Sequence, residues 1–255
     1  MGKFDGIVIF SDLDGTLLHH GQLHPRQLAA VQYFVDNGGT FCPSTGRPYE
    51  FLEEELSELP RKSYCIIKNG TMIYDAASAR TVWGCTLDSA VLTKAVQLGR
   101  RLPIVSIQIH LENECPRISC DDPDWEEKVL STDQPIYKIV LVTAPGQAPD
   151  ILTMLQDETD YQYTVSCGHM IEILSHGSGK GVCVAEIRKL LGDKARVIIG
   201  VGDYANDITM LQACDIAVAV ESSYLPIREY ADWLAPPIGQ FPLEWLVRKI
   251  ESDNL

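Results

Sequence analysis

The sequence has little positive charge for its length. It contains 21 Lys and Arg against 35 Asp and Glu, which gives a formal net charge of -14. A protein whose main partner is nucleic acid or an anionic membrane needs a basic surface patch. The charge balance therefore disfavours both partners, and an anionic substrate would need local help from a cation, lysines or backbone amides.

The chain also lacks the segments that direct proteins out of the cytoplasm. No charged-then-apolar leader opens the sequence, and no apolar stretch is long enough to span a bilayer. Its 8 cysteines are scattered without a C-x-x-C pair, which favours reduced thiols over a disulfide framework or a zinc site. We therefore expect a cytoplasmic protein.

The two ends of the chain share one pattern, an alternation of strands and helices. The 255 residues, of which 45% are hydrophobic, can bury a substantial core in one large domain or two unequal ones. Apolar periodicity predicts strands over residues 7–10, 40–42, 65–67, 72–74, 197–201 and 216–220, and helices over 25–37, 49–59, 182–191 and 208–213. Such alternation predicts an α/β protein with a parallel sheet.

The middle of the chain has a different character, from about residue 81 to residue 174. It contains helix candidates over 87–102 and 151–156 and strand candidates over 105–110, 136–142 and 161–167. This mixture indicates an α+β insert rather than a continuation of the parallel sheet.

Two carboxylates follow the first predicted strand. Because that strand is apolar and β-branched, Asp12 and Asp14 should leave its carboxyl end, where open α/β sheets bind ligands. Their oxygens suit a hard cation such as Mg2+. An Asp-Gly turn or a helix cap is the alternative for this segment alone.

A second acidic group, Asp203 and Asp207, follows the strand over 197–201, so two strands deliver carboxylates to one sheet edge.

Further polar groups lie after the strand predicted over 40–42 and before the helix predicted over 182–191. Thr45 and the neighbouring backbone amides can bind a phosphoryl oxygen, although a capped strand-to-helix turn explains them too. Lys180 lies between glycines, which let the backbone approach a ligand. This segment is not a nucleotide P-loop, because Leu174 stands where the first glycine is needed and Gly181 stands where Ser or Thr should hold Mg2+.

The order of these groups resembles the haloacid dehalogenase-like superfamily of phosphohydrolases. The resemblance rests on four motifs, namely Asp12-Leu13-Asp14-Gly15-Thr16, Thr45-Gly46-Arg47, Lys180-Gly181 and Gly202-Asp203-Tyr204-Ala205-Asn206-Asp207. Asn69-Gly70, Ile73-Tyr74-Asp75 and Glu172-Ile173 are similar to the Cof-type branch, subfamily IIB. The resemblance implies a Rossmann-like parallel-sheet core of residues 1–80 and 175–255 with an inserted α+β cap of residues 81–174, which would select the substrate.

The resemblance also implies a mechanism. Asp12 would attack a phosphate monoester to form an aspartyl-phosphate, and Asp14 would protonate the leaving oxygen and later activate water. Mg2+ would be held by Asp12, the backbone carbonyl of Asp14, and Asp203. Thr45 and Lys180 would bind the equatorial phosphoryl oxygens as charge shifts in the transition state.

The resemblance implies that other motif residues contact the substrate or orient the catalytic residues. Gly46, Arg47, Asn69 and Asn206 are candidates for substrate contact, but a structural salt bridge explains Arg47 equally well and a turn explains Asn69. Asn206 and Asp207 would orient Lys180 or the metal ligands, and a helix N-cap role for Asp207 is compatible with this.

The expected protein is a Mg2+-dependent phosphatase of small phosphorylated metabolites, first of all sugar phosphates, acting as a monomer or homodimer. A sugar phosphomutase or a phosphatase dedicated to one sugar would share these motifs. A non-enzymatic phosphoacceptor such as a receiver module is the alternative from another class, but it would be about half this length and would lack the insert. No G-x-G-x-x-G follows the first strand, which disfavours a dinucleotide-binding protein.

Overall fold

The computed structural model describes residues 2–54, 57–60, 63–221, 224–253 and 255. In chain order its strands are β1 (Ile7–Ser11), β2 (Leu18–His19), β3 (Gln22–Leu23), β4 (Thr40–Pro43), β5 (Tyr64–Ile67), β6 (Met72–Asp75), β7 (Arg80–Gly84), β8 (Ile104–His110), β9 (Arg117–Ser119), β10 (Lys138–Thr143), β11 (Gln162–Cys167), β12 (Met170–Leu174), β13 (Val197–Gly202), β14 (Ile216–Val220) and β15 (Trp233–Ala235). Its α-helices are α1 (Pro25–Asp36), α2 (Tyr49–Glu54), α3 (Ala90–Arg101), α4 (Trp125–Leu130), α5 (Ala148–Met154), α6 (Lys180–Leu191), α7 (Ile208–Gln212) and α8 (Pro242–Asp253).

The chain divides into two compact units. The first, which we call the core unit, comprises Met1–Trp83 and Gly179–Leu255, and the second, the inserted unit, comprises Gly84–Ser178. None of the helices within the described residues combines the length and apolar character that crossing a bilayer requires.

A parallel sheet forms the centre of the core unit. Five of the described strands pair in the order β15-β14-β13-β1-β4, and every pairing is parallel. All residues of β1 are buried, as expected for a parallel strand that is covered on both faces. Val8 and Phe10 on one face of β1 join an apolar cluster with residues of α6 and α7, such as Ile187 and Leu211. The predicted α/β class with a parallel-sheet core is confirmed.

The inserted unit contains an antiparallel sheet. Five of its described strands pair in the order β11-β12-β10-β8-β9, and α3 and α5 pack against the strands of this sheet. In β8, Ile107 and Ile109 are two positions apart, so they face the same side of the sheet, where both are fully buried. The unit mixes helices and an antiparallel sheet, as the middle of the sequence predicts, but β9, β12 and α4 were not predicted.

Some predicted boundaries were wrong. The helix predicted over 49–59 ends at Glu54 in the structure, residues 55 and 56 lie outside the described residues, and residues 57 and 58 form a turn. Pro60 disfavours a helical conformation only at Leu59, the last residue of the predicted helix. The helix predicted to begin at Val182 begins at Lys180. Gly181 lies in the first turn of this helix, and a Cβ there would lie 2.2 Å from the carbonyl oxygen of Thr209, so the close packing at this position needs a glycine.

Candidate active site

The carboxyl ends of three neighbouring strands bring the predicted residues to one sheet edge. In the central strand β1, Ser11 is in register with both Val201 of β13 and Pro43 of β4. The ladder continues beyond the strands, because the Asp12 amide donates to the Val201 carbonyl at 2.9 Å and the Ser44 amide donates to the Ser11 carbonyl at 2.8 Å. Residues that follow each strand therefore emerge side by side, as the sequence predicts for parallel strands.

The ammonium group of Lys180 connects these segments. It donates to Oδ1 of Asp12 at 2.7 Å, to Oδ1 of Asp207 at 2.5 Å and to the carbonyl oxygen of Ser44 at 2.9 Å. Its side chain is 0% exposed. An ammonium has three hydrogens to donate, so all three have partners within the chain.

The buried carboxylates carry more negative charge than this lysine balances. Burial, followed by the charge of Asp207, raises the pKa of Asp12 well above its ordinary value, while Lys180 opposes the shift. The same two causes raise the pKa of Asp203 from 3.8 to about 7. Burial alone would lower the pKa of Lys180, but the charges of Asp12 and Asp207 outweigh it and the pKa is raised. A divalent cation would supply the missing positive charge, so the donor set fits a hard metal ion.

Asp12, Asp203 and Asp207 form the cluster that could hold such an ion. Each offers a carboxylate oxygen, and these oxygens lie within 4.8 Å of one another. Asp207 is already engaged, because its Oδ2 accepts the amides of Asp203 at 3.1 Å and Tyr204 at 3.2 Å in addition to the Lys180 contact at Oδ1. These contacts hold the loop and the lysine, as expected if Asp207 supports the site, and its role toward a metal ion stays a prediction.

The side chain of Asp14 lies outside that cluster. The predicted metal ligands were Asp12, Asp14 and Asp203, so the structure does not support the Asp14 carboxylate as one of them. Its two carboxylate oxygens each accept a hydrogen bond from the guanidinium of Arg47, at 2.7 Å from Nε and 2.7 Å from Nη2. The Arg47 guanidinium in turn lies 3.8 Å from the centre of the Phe51 ring. The ion pair turns the carboxylate toward Arg47, so only the backbone carbonyl of Asp14 remains as the predicted metal ligand.

The second motif and the Asn69 turn form the adjoining part of the site. The Thr45 hydroxyl is buried and accepts the Arg47 amide at 3.1 Å, with Gly46 between them. Asn69 is buried in the left-handed region with φ 60°, its amide donates to the Thr45 carbonyl at 2.9 Å, and its Oδ1 accepts from Nδ2 of Asn206 at 3.1 Å. All four predicted motifs therefore meet at this sheet edge, while the chemical role of each residue stays a prediction.

Three contributors were given no role in the sequence analysis. The hydroxyl of Thr16 is fully buried and donates to Oδ1 of Asp203 at 3.1 Å. The carbonyl of Ser44 accepts from Lys180, and Phe51 covers Arg47. Thr16 could have been found, because it is the hydroxyl of the first motif, but nothing local marks a carbonyl or a helix phenylalanine.

A pocket of about 430 Å³ opens beside Asp14 and Asp203. Its lining includes His19 and His20, whose rings stack with centroids 4.3 Å apart, and Glu221. Pockets for small ligands have this size, so a small phosphate ester has room next to the acidic residues.

Comparison with known proteins identifies the family. The haloacid dehalogenase-like hydrolase family matches residues 9–238, which is most of the chain. The chain belongs to that family. The predicted superfamily is therefore confirmed, and its members' chemistry makes this protein a phosphoric monoester hydrolase rather than a non-enzymatic receiver module.

Individual relatives are distant but cover nearly the whole chain. A 5-amino-6-(5-phospho-D-ribitylamino)uracil phosphatase of Bacillus subtilis is 22% identical over 88% of this chain and 90% of its own. A glucosyl-3-phosphoglycerate/mannosyl-3-phosphoglycerate phosphatase of Persephonella marina is 24% identical over 84% of each chain. The solved structure of a haloacid dehalogenase subclass IIB sugar phosphatase shares the fold, with a TM-score of 0.79 and 16% identity over 95% of this chain and 98% of that one. The chain therefore shares the fold of a IIB member, and its own place in that branch stays a prediction.

Proposed function

We propose that this protein is a Mg2+-dependent phosphatase that hydrolyses small phosphate monoesters, first of all sugar phosphates, through an aspartyl-phosphate at Asp12. The observation that carries the proposal is the buried Asp12 carboxylate, fixed by Lys180 at 2.7 Å and bordered by a second buried carboxylate, Asp203. Burying a carboxylate next to further acids costs free energy, and such groups with shifted pKa values cluster at catalytic and cation-binding sites.

Asp12 is the nucleophile in this mechanism. Its carboxylate forms the bond to phosphorus while the bond to the ester oxygen breaks. Lys180 holds one oxygen of this carboxylate, which limits its rotation before attack. Mg2+ bound by Asp12, the Asp14 backbone carbonyl and Asp203 would offset the repulsion between this carboxylate and the anionic phosphate.

Asp14 is the acid and base. To act as the acid it binds a proton on one carboxylate oxygen, which exchanges its hydrogen bond from Arg47, while the other oxygen keeps its own. It gives this proton to the departing alkoxide, and in the second half it takes a proton from the water whose oxygen attacks phosphorus and releases Asp12. Because 47% of its side chain is exposed, water can reach it for the second of these steps. Thr45 and Lys180 stabilise the equatorial phosphoryl oxygens, for which the lysine exchanges one of its present acceptors.

The expected substrates follow from the relatives and the pocket. Two relatives are named as phosphatases of small phosphorylated compounds with sugar or sugar-alcohol parts. The pocket beside Asp14 has room for a leaving group of that size. We propose that the inserted unit acts as the cap that selects this leaving group.

The decisive experiment measures phosphate release from a panel of phosphorylated sugars, nucleotides and cofactors, together with an aryl phosphate, in the presence and absence of Mg2+. Asp12→Asn should abolish multiple-turnover release while the circular dichroism spectrum stays unchanged. Asp36→Asn, at an exposed position at the end of α1, is the matched control and should keep full activity. Undiminished turnover by Asp12→Asn would remove Asp12 as the nucleophile.

A further inference from the structure

Phe51 has no reactive group, but it contacts Arg47, and Arg47 binds Asp14, the predicted acid and base. The Asp14 carboxylate and the Arg47 guanidinium form a bidentate ion pair, and the centre of the Phe51 ring lies 3.8 Å from Cζ of Arg47. The three side chains thus form a continuous series of contacts from α2 to the first motif.

The ion pair between Asp14 and Arg47 is weakly protected from water. The two side chains are 47% and 37% exposed. An exposed ion pair gains little net free energy, because water screens it and both side chains lose rotamer freedom. A general acid, however, must be held within hydrogen-bond reach of the oxygen that it protonates. The pair by itself is therefore a poor means of fixing Asp14.

The surroundings restrict Arg47 from two directions. Its amide donates to the Thr45 hydroxyl at 3.1 Å and its carbonyl accepts the Lys68 amide at 3.0 Å, so its backbone is fixed. The Phe51 ring then covers a face of the guanidinium. Stacking uses the face of a guanidinium and hydrogen bonding uses its edge, so both contacts are made at once.

From this arrangement we infer that Phe51 is a positioning residue for Asp14 and acts on it through Arg47. The inference rests on the proposed function, in which Asp14 protonates the leaving group. By limiting the rotation of Arg47, the ring restricts the positions of the Asp14 carboxylate and lowers the cost of orienting it for proton transfer.

The test compares two esters that differ in their need for an acid. The 2,4-dinitrophenolate ion leaves without a proton, whereas the alkoxide of glucose 6-phosphate needs one. The quantity to compare is kcat/KM, which covers only the steps up to departure of the alcohol and so leaves out the later attack of water. Phe51→Leu should lower kcat/KM by about three- to tenfold for glucose 6-phosphate and by less than about twofold for 2,4-dinitrophenyl phosphate. Phe51→Tyr keeps the ring and should restore the ratio of the two rates.

A matched control lies on the same helix. Tyr49 stacks on Tyr74 at 3.7 Å, so Tyr49→Leu removes an aromatic ring from α2 and should leave the ratio unchanged. A double-mutant cycle keeps the test valid if Phe51→Leu is poorly stable: because Phe51 acts through Arg47, adding Phe51→Leu to Arg47→Gln should cause no further loss in the ratio. An equal loss for both esters, additive effects in the cycle, or the same change in Tyr49→Leu would overturn the role of Phe51.

The proposed function has its own readout in the same assay. If the unmodified protein hydrolyses both esters and Asp12→Asn neither, the proposed function holds whatever the Phe51 variants do. Hydrolysis that Asp12→Asn retains would instead refute the proposed function, and with it the role of Phe51.

Discussion

Oδ1 of Asp12 lies 2.7 Å from Nζ of Lys180, although 168 positions separate the two residues in the chain. Both side chains are buried, so neither charge has water to stabilise it. The lysine therefore has two functions in one contact: it compensates the charge of the predicted nucleophile and joins the first and third motifs. The predictions below test this contact and its neighbours.

Removing the Lys180 charge should destabilise the protein. Lys180→Met leaves Asp12 and Asp207 buried without their cation, and breaking such a pair costs about 3–5 kcal/mol in the free energy of unfolding. Urea unfolding in the presence of a chelator measures this. Lys189→Met is the control, because Lys189 lies on the same helix with a side chain that is 70% exposed, and it should change stability by less than about 0.5 kcal/mol. Equal stability of the two variants would contradict the prediction.

The raised pKa of Asp203 predicts how stability and metal binding depend on pH. The folded protein binds this proton more tightly than the unfolded chain, because the pKa is about 7 rather than 3.8. The contribution of this group to stability is therefore complete below about pH 4 and is lost as the pH rises through 7 without metal. Mg2+ competes with the proton, so it should raise the Tm more at pH 8 than at pH 5.5. Thermal unfolding with Mg2+ or a chelator tests this, and Asp203→Asn should remove most of the difference.

Thr45 and Ser44 are neighbours with opposite expectations. Thr45→Ala should reduce kcat/KM by about a hundredfold, because the proposed donor to a phosphoryl oxygen is lost, and Thr45→Ser should retain most activity. The Ser44 hydroxyl is buried and makes no hydrogen bond within the described residues. Ser44→Ala should therefore leave the free energy of unfolding unchanged or raise it by up to about 1 kcal/mol, with activity kept. A large loss of activity in Ser44→Ala would show that its hydroxyl meets the substrate.

Substitutions at Gly15 and Gly21 distinguish a steric effect on Asp203 from backbone strain. Gly15 has φ +94°, and a Cβ there would lie 2.4 Å from Oδ2 of Asp203. Gly15→Ala should therefore displace Asp203 and weaken Mg2+ binding by about tenfold or more. Gly21→Ala is the control, since Gly21 has φ +76° with nothing within 4 Å of the added atom, so it carries only the strain. Titration calorimetry with Mg2+ should distinguish them, and equal affinities would contradict the prediction.

The fold was predictable where local pattern and burial agree. The apolar run of β1 and the amphipathic pattern of α1 gave elements within one residue of the observed bounds. The sequence analysis did not identify β15 and α8, at Trp233–Ala235 and Pro242–Asp253. A three-residue strand has too few positions for alternation to show, and pairing with β14 defines it.

The candidate site was predictable in its residue types but in few of its contacts. Asp12, Thr45, Lys180 and Asp203 stand at the ends or starts of recognisable elements, so the motifs alone place them at one sheet edge. The Phe51 ring over Arg47 has no such marker, because an aromatic residue on a short helix is equally consistent with the core.

The sequence by itself determined most elements of the parallel-sheet core, which side chains follow its strands and which family the motifs resemble, because these depend on neighbours along the chain. Only the tertiary structure decided that Lys180 binds Asp12 and Asp207 together, and that Asp14 pairs with Arg47. Such partners are brought together by the packing of distant segments, and a difference of one or two ångströms decides whether a charge is compensated or left unpaired.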